Sequence, residues 1–215
     1  MSVSALQELF SDAVVAVETR ESAVDDTRLW PEEAALLGDV VPGRRWDWVM
    51  GRRCAYEAMQ GLGREPLPVL KGDSREPLWP AGLVGAITHT AGYAAAAVAL
   101  ASDVRSVGID AEPDEPLPRG VLDRVSLASE RTWIADGLPV GVGNRDRLLF
   151  TIKEAVYKTW FPLAQRWLGF VDARVELDAV RSRFSVEILV DGPISNLEGR
   201  YGSADGIVLA GIELH

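Results

Sequence analysis

Two short stretches of the chain combine acidic and basic residues in a way that could support chemistry on phosphates. Asp110 and Glu112 alternate on a predicted strand, so both carboxylates project from the same face. Glu154 lies between Lys153 and Lys158, which are two of only three lysines, against 19 arginines, in 215 residues. Neighbouring carboxylates repel each other unless a cation or a proton separates them. The three acids therefore predict a hard anionic site suited to Mg²⁺, with Mn²⁺ as the alternative ion.

Histidine and cysteine, which zinc prefers as ligands, are rare in this chain. Cys54 is the single cysteine, so it can form neither an internal disulfide nor a Cys-x-x-Cys pair, and we interpret it as a buried small side chain. Of the two histidines, one is the C-terminal residue. The other, His89, follows an apolar strand, where a lone histidine is usually structural. Alongside Lys71, Arg44 and Arg52 it could instead donate to a phosphate.

The residues around Glu154 have the pattern of a helix without an ordinary polar face. At 100° per residue they form two opposite stripes, one apolar or neutral and one mainly aromatic. These stripes are Leu148, Ile152, Ala155 and Thr159, and Phe150, Glu154, Tyr157 and Phe161. An exposed Glu154–Lys158 pair would contribute only a few tenths of a kcal/mol, and such pairs normally lie on a polar face. A functional carboxylate is therefore the better interpretation. Asn144 can cap this helix, and Pro162 is expected to end it.

Helical and β-rich stretches alternate along the rest of the chain. The patterns predict helices at residues 31–38, 45–60 and 122–134, and strands at residues 84–88, 93–100, 105–112, 170–177, 184–190, 198–201 and 207–214. Ala91-Gly92 is the expected turn between the first two strands. Residues 69–80 are expected to form a turn-rich loop, and residues 113–143 a variable connection. Both halves of the chain thus run from helix into antiparallel strands, without a repeat in residue identity.

Composition and charge exclude several classes of protein. The chain is 47% hydrophobic and 25% charged, which is typical of a globular protein. Its net charge of −10 argues against a general nucleic-acid binder. The N-terminus lacks the basic region of a signal peptide, and the uncharged residues 88–102 are too few for a membrane span. We therefore expect a cytoplasmic protein with no nucleic-acid or membrane partner.

Several motifs together resemble one enzyme family. Residues 107–112 (Val-Gly-Ile-Asp-Ala-Glu) and 150–158 (Phe-Thr-Ile-Lys-Glu-Ala-Val-Tyr-Lys) are similar to the two signature motifs of the 4′-phosphopantetheinyl transferases, in the surfactin-type branch. Accessory motifs of that branch resemble Gly51-Arg52, Lys71-Gly72, Trp79-Pro80 and Ile87-Thr88-His89. Residues 158–163 and 166–170 are most similar to actinobacterial members that modify polyketide and peptide synthases. The resemblance spans roughly residues 44–170, in the right order and spacing.

The resemblance implies a fold and a reaction. It implies a monomer of two similar α+β halves, which we expect at residues 1–104 and 105–215, with the active site in the cleft between them. In such enzymes a serine hydroxyl of an acyl-, aryl- or peptidyl-carrier protein attacks the β-phosphate of coenzyme A. Phosphopantetheine is transferred to the serine, and adenosine 3′,5′-bisphosphate leaves.

The same resemblance implies roles for individual residues. Asp110, Glu112 and Glu154 would bind Mg²⁺, and Glu154 and Lys158 would be catalytic. The residues expected to bind coenzyme A are Arg44, Arg52, Lys71, Arg75, Thr88, His89, Asp110, Lys153 and Lys158. The residues expected to line a channel for the pantetheine arm are Phe150, Tyr157, Trp167 and Leu168. Such equipment suits phosphoryl chemistry, which needs charge neutralisation and alignment more than covalent catalysis.

Two details stay open at the sequence level. Glu154 could accept the serine proton, but a metal-bound carboxylate is a poorer base, so a bridging water is the alternative. Carrier proteins are usually acidic, and this chain carries −10 itself, so long-range attraction is unfavourable. We therefore expect a local docking patch of arginines and apolar residues, with Arg119, Arg124 or Arg166 as candidates.

Two other functions could use the same acids. A Mg²⁺-dependent phosphohydrolase would place a water where the serine hydroxyl is expected, and the aromatic channel would then have no purpose. A coenzyme A binding or scaffolding module would gain nothing from three acids facing an anionic ligand without a metal. Hydrolysis of coenzyme A without a carrier would identify the first, and affinity unaffected by EDTA would identify the second.

Overall fold

The fold contains two antiparallel sheets with one long helix against each. The computed structural model describes residues 4–90, 92–137 and 141–215, so Ala91 of the predicted turn lies outside the described residues. The helices are α1 (Pro31–Leu37), α2 (Pro42–Gly61), α3 (Leu122–Val125), α4 (Ala128–Ala135) and α5 (Arg145–Ala164). The strands are β1 (Val14–Thr19), β2 (Leu70–Lys71), β3 (Pro77–Leu78), β4 (Leu83–Thr90), β5 (Tyr93–Leu100), β6 (Ser106–Pro113), β7 (Ala173–Asp178), β8 (Arg183–Ile188), β9 (Asn196–Ala204) and β10 (Ile207–Leu214).

The first sheet has the strand order β1-β5-β4, and its centre is the alanine-rich strand β5. Alternate residues of β5 face opposite neighbours: Ala95, Ala97 and Ala99 contact the second sheet, whereas Ala96 and Val98 contact α2. All five are fully buried. Because these side chains are small, the sheet can be covered closely on both faces. β2 and β3 form a separate hairpin within the segment that the sequence predicts as a loop.

The second sheet has the order β6-β10-β9-β8-β7, and α5 lies on one of its faces. Leu148, Ile152 and Trp160 of α5 are fully buried there. The other face of β6 and β10 packs against β4 and β5 of the first sheet. Both halves therefore contribute to one continuous interface, and the predicted α+β class with two mixed halves is confirmed. In the described parts of the chain, the helices are all too short or too polar to cross a bilayer.

Strand β6 lies at the junction of the two halves and alternates as predicted. Val107, Ile109 and Ala111 face the core between the sheets. On the other face, Gly108 lies directly against α5, where an added Cβ would collide with the carbonyl oxygen of Ala155. This close contact brings the acidic end of β6 beside the middle of α5.

Several predicted boundaries need correction. Pro162 does not end α5, which continues to Ala164 before Gln165 adopts a left-handed conformation. A proline in the last turn leaves only one carbonyl without its N–H partner, so the helix tolerates it. Asn144 precedes α5 but does not cap it, because its side-chain amide donates to Asp114 instead.

Other elements differ from the predictions in type or number. Residues 122–134 form two short helices, α3 and α4, rather than one. The expected strand at 170–177 begins as a 3-10 helix, Phe170–Asp172, before β7. Strand β1 is not predicted, since its residues mix with the charged residues of the N-terminal region. The prediction that Cys54 is a buried small side chain is confirmed, because the residue is 1% exposed.

Candidate active site

The acidic end of β6 is held by cations and a hydroxyl rather than by solvent. Asp110 is 4% exposed. Its Oδ1 accepts hydrogen bonds from Lys158 Nζ at 2.7 Å and from Thr88 Oγ1 at 3.0 Å. Its Oδ2 is buried and has no hydrogen-bond partner among the described residues. Glu112 Oε2 accepts from Arg147 Nη1 at 3.1 Å. The buried Oδ2 of Asp110 is therefore left for a further cationic or donor group.

Glu154 lies on the face of α5 that approaches these two acids. Burial, and then the negative charges of Asp110 and Glu112, raise the pKa of Glu154 to about 6, although Lys158 partly opposes them. Burial and then Asp110 likewise raise the pKa of Glu112. Burial alone raises the pKa of a carboxyl group, and the further effects of Asp110 and Glu112 on Glu154 mean that these charges lie within electrostatic range of it. The three predicted acids therefore lie in one region of the cleft.

A divalent cation fits the chemistry of this region, but the side chains do not form a closed ligand shell. The donors are all carboxylate oxygens, which hard cations such as Mg²⁺ prefer, and the unpartnered Asp110 Oδ2 could serve as a ligand. Among the described residues, however, no three His, Cys, Asp or Glu side chains stand close enough together to hold a metal ion. Lys158 and Arg147 instead pair with Asp110 and Glu112.

A basic pocket of about 550 Å³ opens on the side of the first sheet. It contains five of the residues predicted to bind coenzyme A: Arg44, Arg52, Lys71, Arg75 and His89. Trp48 and the apolar residues of α1 form other parts of its wall. This concentration of cationic side chains contrasts with the net charge of −10 for the whole chain. The pocket is therefore suited by its local charge to an anion, although one acid, Asp47, also lines it.

Two buried N–H groups at this pocket have no hydrogen-bond partner among the described residues. They are Arg52 Nε and Trp48 Nε1. The Arg52 guanidinium lies 3.1 Å from the centroid of the Trp48 ring. Burial lowers the pKa of Arg52 to about 10, so the group remains charged at neutral pH. Burial also lowers the pKa of His89, whose Nδ1 is 3.5 Å from Asp47 Oδ1. The unpartnered donors suit an oxyanion.

Two smaller cavities continue from the basic pocket toward the end of α5. The first, of about 200 Å³, shares Arg75, Pro77 and Ile87 with the basic pocket. The second, of about 160 Å³, shares Glu154 and Tyr157 with the first. Glu154 therefore borders both smaller cavities. The row of three could hold an elongated ligand with an anionic end and an apolar end.

The last cavity is lined by three of the four residues predicted for the pantetheine channel. Tyr157, Trp167 and Leu168 line it together with Phe170. The Tyr157 and Trp167 rings lie 4.8 Å apart between centroids, and Trp167 is 70% exposed at the rim. The fourth predicted residue, Phe150, is not among the lining residues. It stacks on Phe170 at 5.6 Å and supports the wall from behind.

Two predicted ligand contacts need correction. Lys153 is not free to bind a phosphate, because its side chain is 1% exposed and its ammonium donates to Glu130 Oε2 at 2.7 Å and to the carbonyl oxygen of Phe170 at 2.8 Å. Thr88 is 3% exposed and lies behind Asp110. Its hydroxyl donates to Asp110 and accepts from the backbone N–H of Ala111. Thr88 thus orients an acid rather than facing the cleft.

Sequence reasoning did not identify two residues of the site. Arg147 lies seven residues before Glu154, two helical turns along the same stripe of α5, so the helical period could have found it. Trp48 lies four residues before Arg52 on α2, where stacking is possible. Neither residue was singled out, because arginines are common here and tryptophans are usually core residues.

Fold and site together define a class of protein: an α+β chain of two halves whose cleft joins a cationic pocket, an acidic centre and an aromatic channel. Comparison with known proteins specifies the class further. Residues 32–99 match the 4′-phosphopantetheinyl transferase N-terminal domain family, and residues 106–201 match the 4′-phosphopantetheinyl transferase superfamily.

Individual relatives agree with this match. The chain is 47% identical over 194 residues to 4′-phosphopantetheinyl transferase PptT of Mycobacterium tuberculosis. The matched region covers 86% of this chain and 85% of that protein. The chain is 42% identical over 202 residues to 4′-phosphopantetheinyl transferase Npt of Nocardia iowensis, covering 87% and 90%. It is 29% identical over 150 residues to enterobactin synthase component D of Escherichia coli, covering 68% of each.

The chain therefore belongs to the 4′-phosphopantetheinyl transferase superfamily. Members of this family are enzymes that transfer the 4′-phosphopantetheine group of coenzyme A to carrier proteins, and this chain is such a transferase.

Proposed function

We propose that this enzyme is a Mg²⁺-dependent transferase of the surfactin-type branch that modifies serines of acyl-, aryl- and peptidyl-carrier proteins in polyketide and peptide synthases. The observation that carries the proposal is the position of Glu154, which borders two linked cavities and is close enough to Asp110 and Glu112 to have its pKa raised by them. The similarity to the 4′-phosphopantetheinyl transferases PptT and Npt supports carrier proteins as the partners. We also propose that the enzyme acts as a cytoplasmic monomer.

We assign the adenosine bisphosphate part of coenzyme A to the basic pocket. Arg44, Arg52, Lys71, Arg75 and His89 would contact its phosphates, with the unpartnered Arg52 Nε as one donor. The pantetheine arm would then follow the row of cavities into the aromatic channel. This direction of binding places the pyrophosphate beside Lys158 and the three acids. Two domains, residues 1–104 and 105–215, would each supply one side of the cleft.

Asp110, Glu112 and Glu154 would hold Mg²⁺, which supplies charge neutralisation at the pyrophosphate when bound. Lys158 would neutralise phosphate charge once it turns from Asp110 toward the substrate. Glu154 would take the proton from the serine hydroxyl, directly or through a water, as the serine Oγ–phosphorus bond forms. The bond between phosphorus and the leaving adenosine 3′,5′-bisphosphate breaks, and the electron pair leaves with its oxygen. A carboxyl pKa near 6 suits a base that works near neutral pH.

Intact-mass spectrometry of apo carrier proteins tests the proposal. Each carrier is incubated with enzyme, Mg²⁺ and coenzyme A, beside a carrier whose acceptor serine is changed to alanine. A mass increase by one phosphopantetheine on the wild-type carriers alone is expected. The pattern across acyl-, aryl- and peptidyl-carriers identifies the partners. Hydrolysis of coenzyme A at a comparable rate without any carrier would instead identify a phosphohydrolase.

A further inference from the structure

A buried glutamate outside the cleft connects three of the segments that form the basic pocket. Glu33 of α1 is fully buried. Its Oε1 accepts from the backbone N–H of Val69 at 2.7 Å, and its Oε2 accepts from the backbone N–H of Trp30 at 3.1 Å and from the hydroxyl of Tyr56. Arg52 Nε lies 3.8 Å from Oε1. Glu33 itself does not line the pocket.

Two of the partners of Glu33 lie close in sequence to cationic residues of the pocket. Val69 precedes β2, which carries Lys71. Tyr56 lies one turn after Arg52 on α2. The carboxylate therefore fixes where the strand bearing one cation stands relative to the helix bearing another.

The energetics make a purely space-filling role a poor explanation. A buried carboxylate loses several kcal/mol of hydration, which only well-placed hydrogen bonds and charges offset. Glu33 meets that condition with two backbone donors and a hydroxyl. Arg52 Nε is too far from Glu33 for a hydrogen bond, so the attraction between the two charges holds the guanidinium in place without using its Nε–H as a donor.

The second half of the chain also has a buried glutamate in a short helix that precedes its long helix. Glu130 of α4 is also fully buried. It accepts from the backbone N–H three residues earlier, Leu127, and from the backbone N–H of a strand residue, Val175. Glu130 also forms an ion pair with Lys153, 23 residues later in the sequence. Tyr56, which donates to Glu33, likewise lies 23 residues after it. Two independent segments thus use one arrangement, in which an acid ties a long helix to a strand.

We propose that Glu33 is a positioning residue for the phosphate-binding pocket, setting Arg52 and Lys71 at the spacing that the adenosine bisphosphate of coenzyme A requires. Glu130 performs the equivalent task for α5 and thereby for Glu154. The inference rests on the proposed assignment of the basic pocket to coenzyme A. It predicts that the two glutamates affect different kinetic constants, although both are buried to the same degree.

The test compares Glu33→Gln with Glu130→Gln in the full-length enzyme, using adenosine 3′,5′-bisphosphate as the binding probe. Glutamine keeps the size of the side chain but replaces one acceptor by a donor and removes the charge. Glu33→Gln is expected to raise the Kd for adenosine 3′,5′-bisphosphate and the KM for coenzyme A about tenfold, with kcat and the KM for carrier within twofold. Glu130→Gln is expected to lower kcat about tenfold with the probe affinity within twofold. Tyr56→Phe, which releases one bond of Glu33, should show the Glu33 pattern at a smaller size.

The outcomes separate the inference from the proposed function. Equal losses of both constants in both glutamine variants, or unchanged probe affinity in Glu33→Gln, would overturn the positioning role. If Glu33→Gln does not fold, Tyr56→Phe decides: a probe affinity equal to that of the wild type overturns the role. Failure of the wild-type enzyme itself to bind adenosine 3′,5′-bisphosphate would instead reject the assignment of the pocket. Isothermal titration calorimetry with steady-state kinetics supplies all the measurements.

Discussion

At the scale of single residues, the site is defined by carboxylates that are paired unequally. Asp110 and Glu112 each have a cationic partner, whereas Glu154 has a raised pKa and, among the residues that the structure describes, no side-chain hydrogen bond to offset its burial. An acid in this position is costly for the folded protein, and function is the simplest reason to retain it. Removing its charge should therefore affect stability and activity in opposite directions.

Glu154→Gln tests this expectation. Turnover with a carrier protein should fall at least about a hundredfold, because the change removes both the proposed base and a metal ligand. The melting temperature should stay equal or rise, since repulsion from Asp110 and Glu112 is relieved. Intact-mass kinetics and thermal unfolding measure the two effects. Glu176→Gln, at an exposed position of β7, is the matched control and should change neither. Wild-type turnover by Glu154→Gln would exclude both roles of Glu154.

Added Mg²⁺ should stabilise the enzyme more at pH 7.5 than at pH 5. The pKa of Glu154 is raised from 4.5 to about 6, so the folded state binds a proton more tightly than the unfolded state does. Burial of the Glu154 charge and its repulsion by Asp110 and Glu112 therefore lower stability above pH 6, and this cost disappears as the pH falls from 6 through 4.5. A bound cation offsets the repulsion only where the carboxylates are ionised. At tenfold its Kd, Mg²⁺ should raise the melting temperature by about 3 °C at pH 7.5. Equal shifts at both pH values would contradict the carboxylate site.

At the scale of secondary-structure elements, the site depends on the contact between β6 and α5. Gly108 lets the two backbones approach, and Ser106 Oγ donates to the carbonyl oxygen of Thr159 at 2.8 Å nearby. The acids on β6 and the acid on α5 therefore lie close together because Gly108 has no side chain to separate the two elements. A change in this spacing acts on all three carboxylates together.

Gly108→Ala should separate the strand from the helix. Its Cβ would meet the Ala155 carbonyl oxygen and Thr159 Oγ1, and the first of these is helix backbone that cannot move alone. We expect a loss of about 1–3 kcal/mol in the free energy of unfolding, with a larger proportional loss of turnover than of coenzyme A affinity. Gly202→Ala in β9 is the control, since its nearest neighbour, Leu9 Cδ2, would be 3.9 Å away. Similar losses of stability and turnover in both variants would show that the effect is common to glycines in these strands and is not specific to the contact between Gly108 and α5.

The Glu130–Lys153 pair is the second element-scale device, and a double-mutant cycle measures it. Lys153→Met leaves a buried carboxylate without its cation and should cost about 3–5 kcal/mol in the free energy of unfolding. Lys153→Met combined with Glu130→Gln should recover part of that loss. Urea denaturation gives the coupling energy. Additive losses would mean that the pair is not coupled, and a large loss of coenzyme A affinity without destabilisation would restore the phosphate role of Lys153.

The elements that sequence patterns predict well are those with an unambiguous period. The two stripes of α5 and the alternation of β6 are clear because each face meets one kind of neighbour, and both are confirmed. Lys153 shows the limit of this reasoning. Its place in a motif indicates phosphate binding, but its direction depends on Glu130, which lies in a short helix that the period places only loosely. Pro162 shows another limit of this reasoning. A proline disrupts the interior of a helix, but the last turn of α5 tolerates it, so its position in the sequence does not mark where the helix ends.

At the scale of the whole molecule, the distribution of charge matters more than its total. The chain carries −10, yet four of its 22 lysines and arginines, Arg44, Arg52, Lys71 and Arg75, line the basic pocket. An acidic carrier must therefore be recognised over a short range. The predicted docking candidates Arg119, Arg124 and Arg166 are all exposed and remain candidates.

Arginine-to-alanine changes identify the docking patch. Arg119→Ala with Arg124→Ala should raise the KM for carrier protein about five- to tenfold and leave the KM for coenzyme A unchanged, because these residues lie outside the basic pocket. Arg174→Ala with Arg181→Ala, at exposed positions in and just beyond β7, is the control for the loss of two surface charges. Kinetics with each substrate varied in turn supply the values. A higher KM for coenzyme A instead would place these arginines at the nucleotide.

The alanine face of β5 also sets how ligands can enter and leave. Ala95, Ala97 and Ala99 contribute only methyl groups to the interface between the two sheets, so the sheets pack closely and sliding them apart would open voids. Substrate entry and product release must then depend on the rim of the aromatic channel, where the Trp167 indole is largely exposed to solvent. We expect the two sheets to keep their relative position while side chains at the rim move. Substrates would then exchange without separation of the two halves.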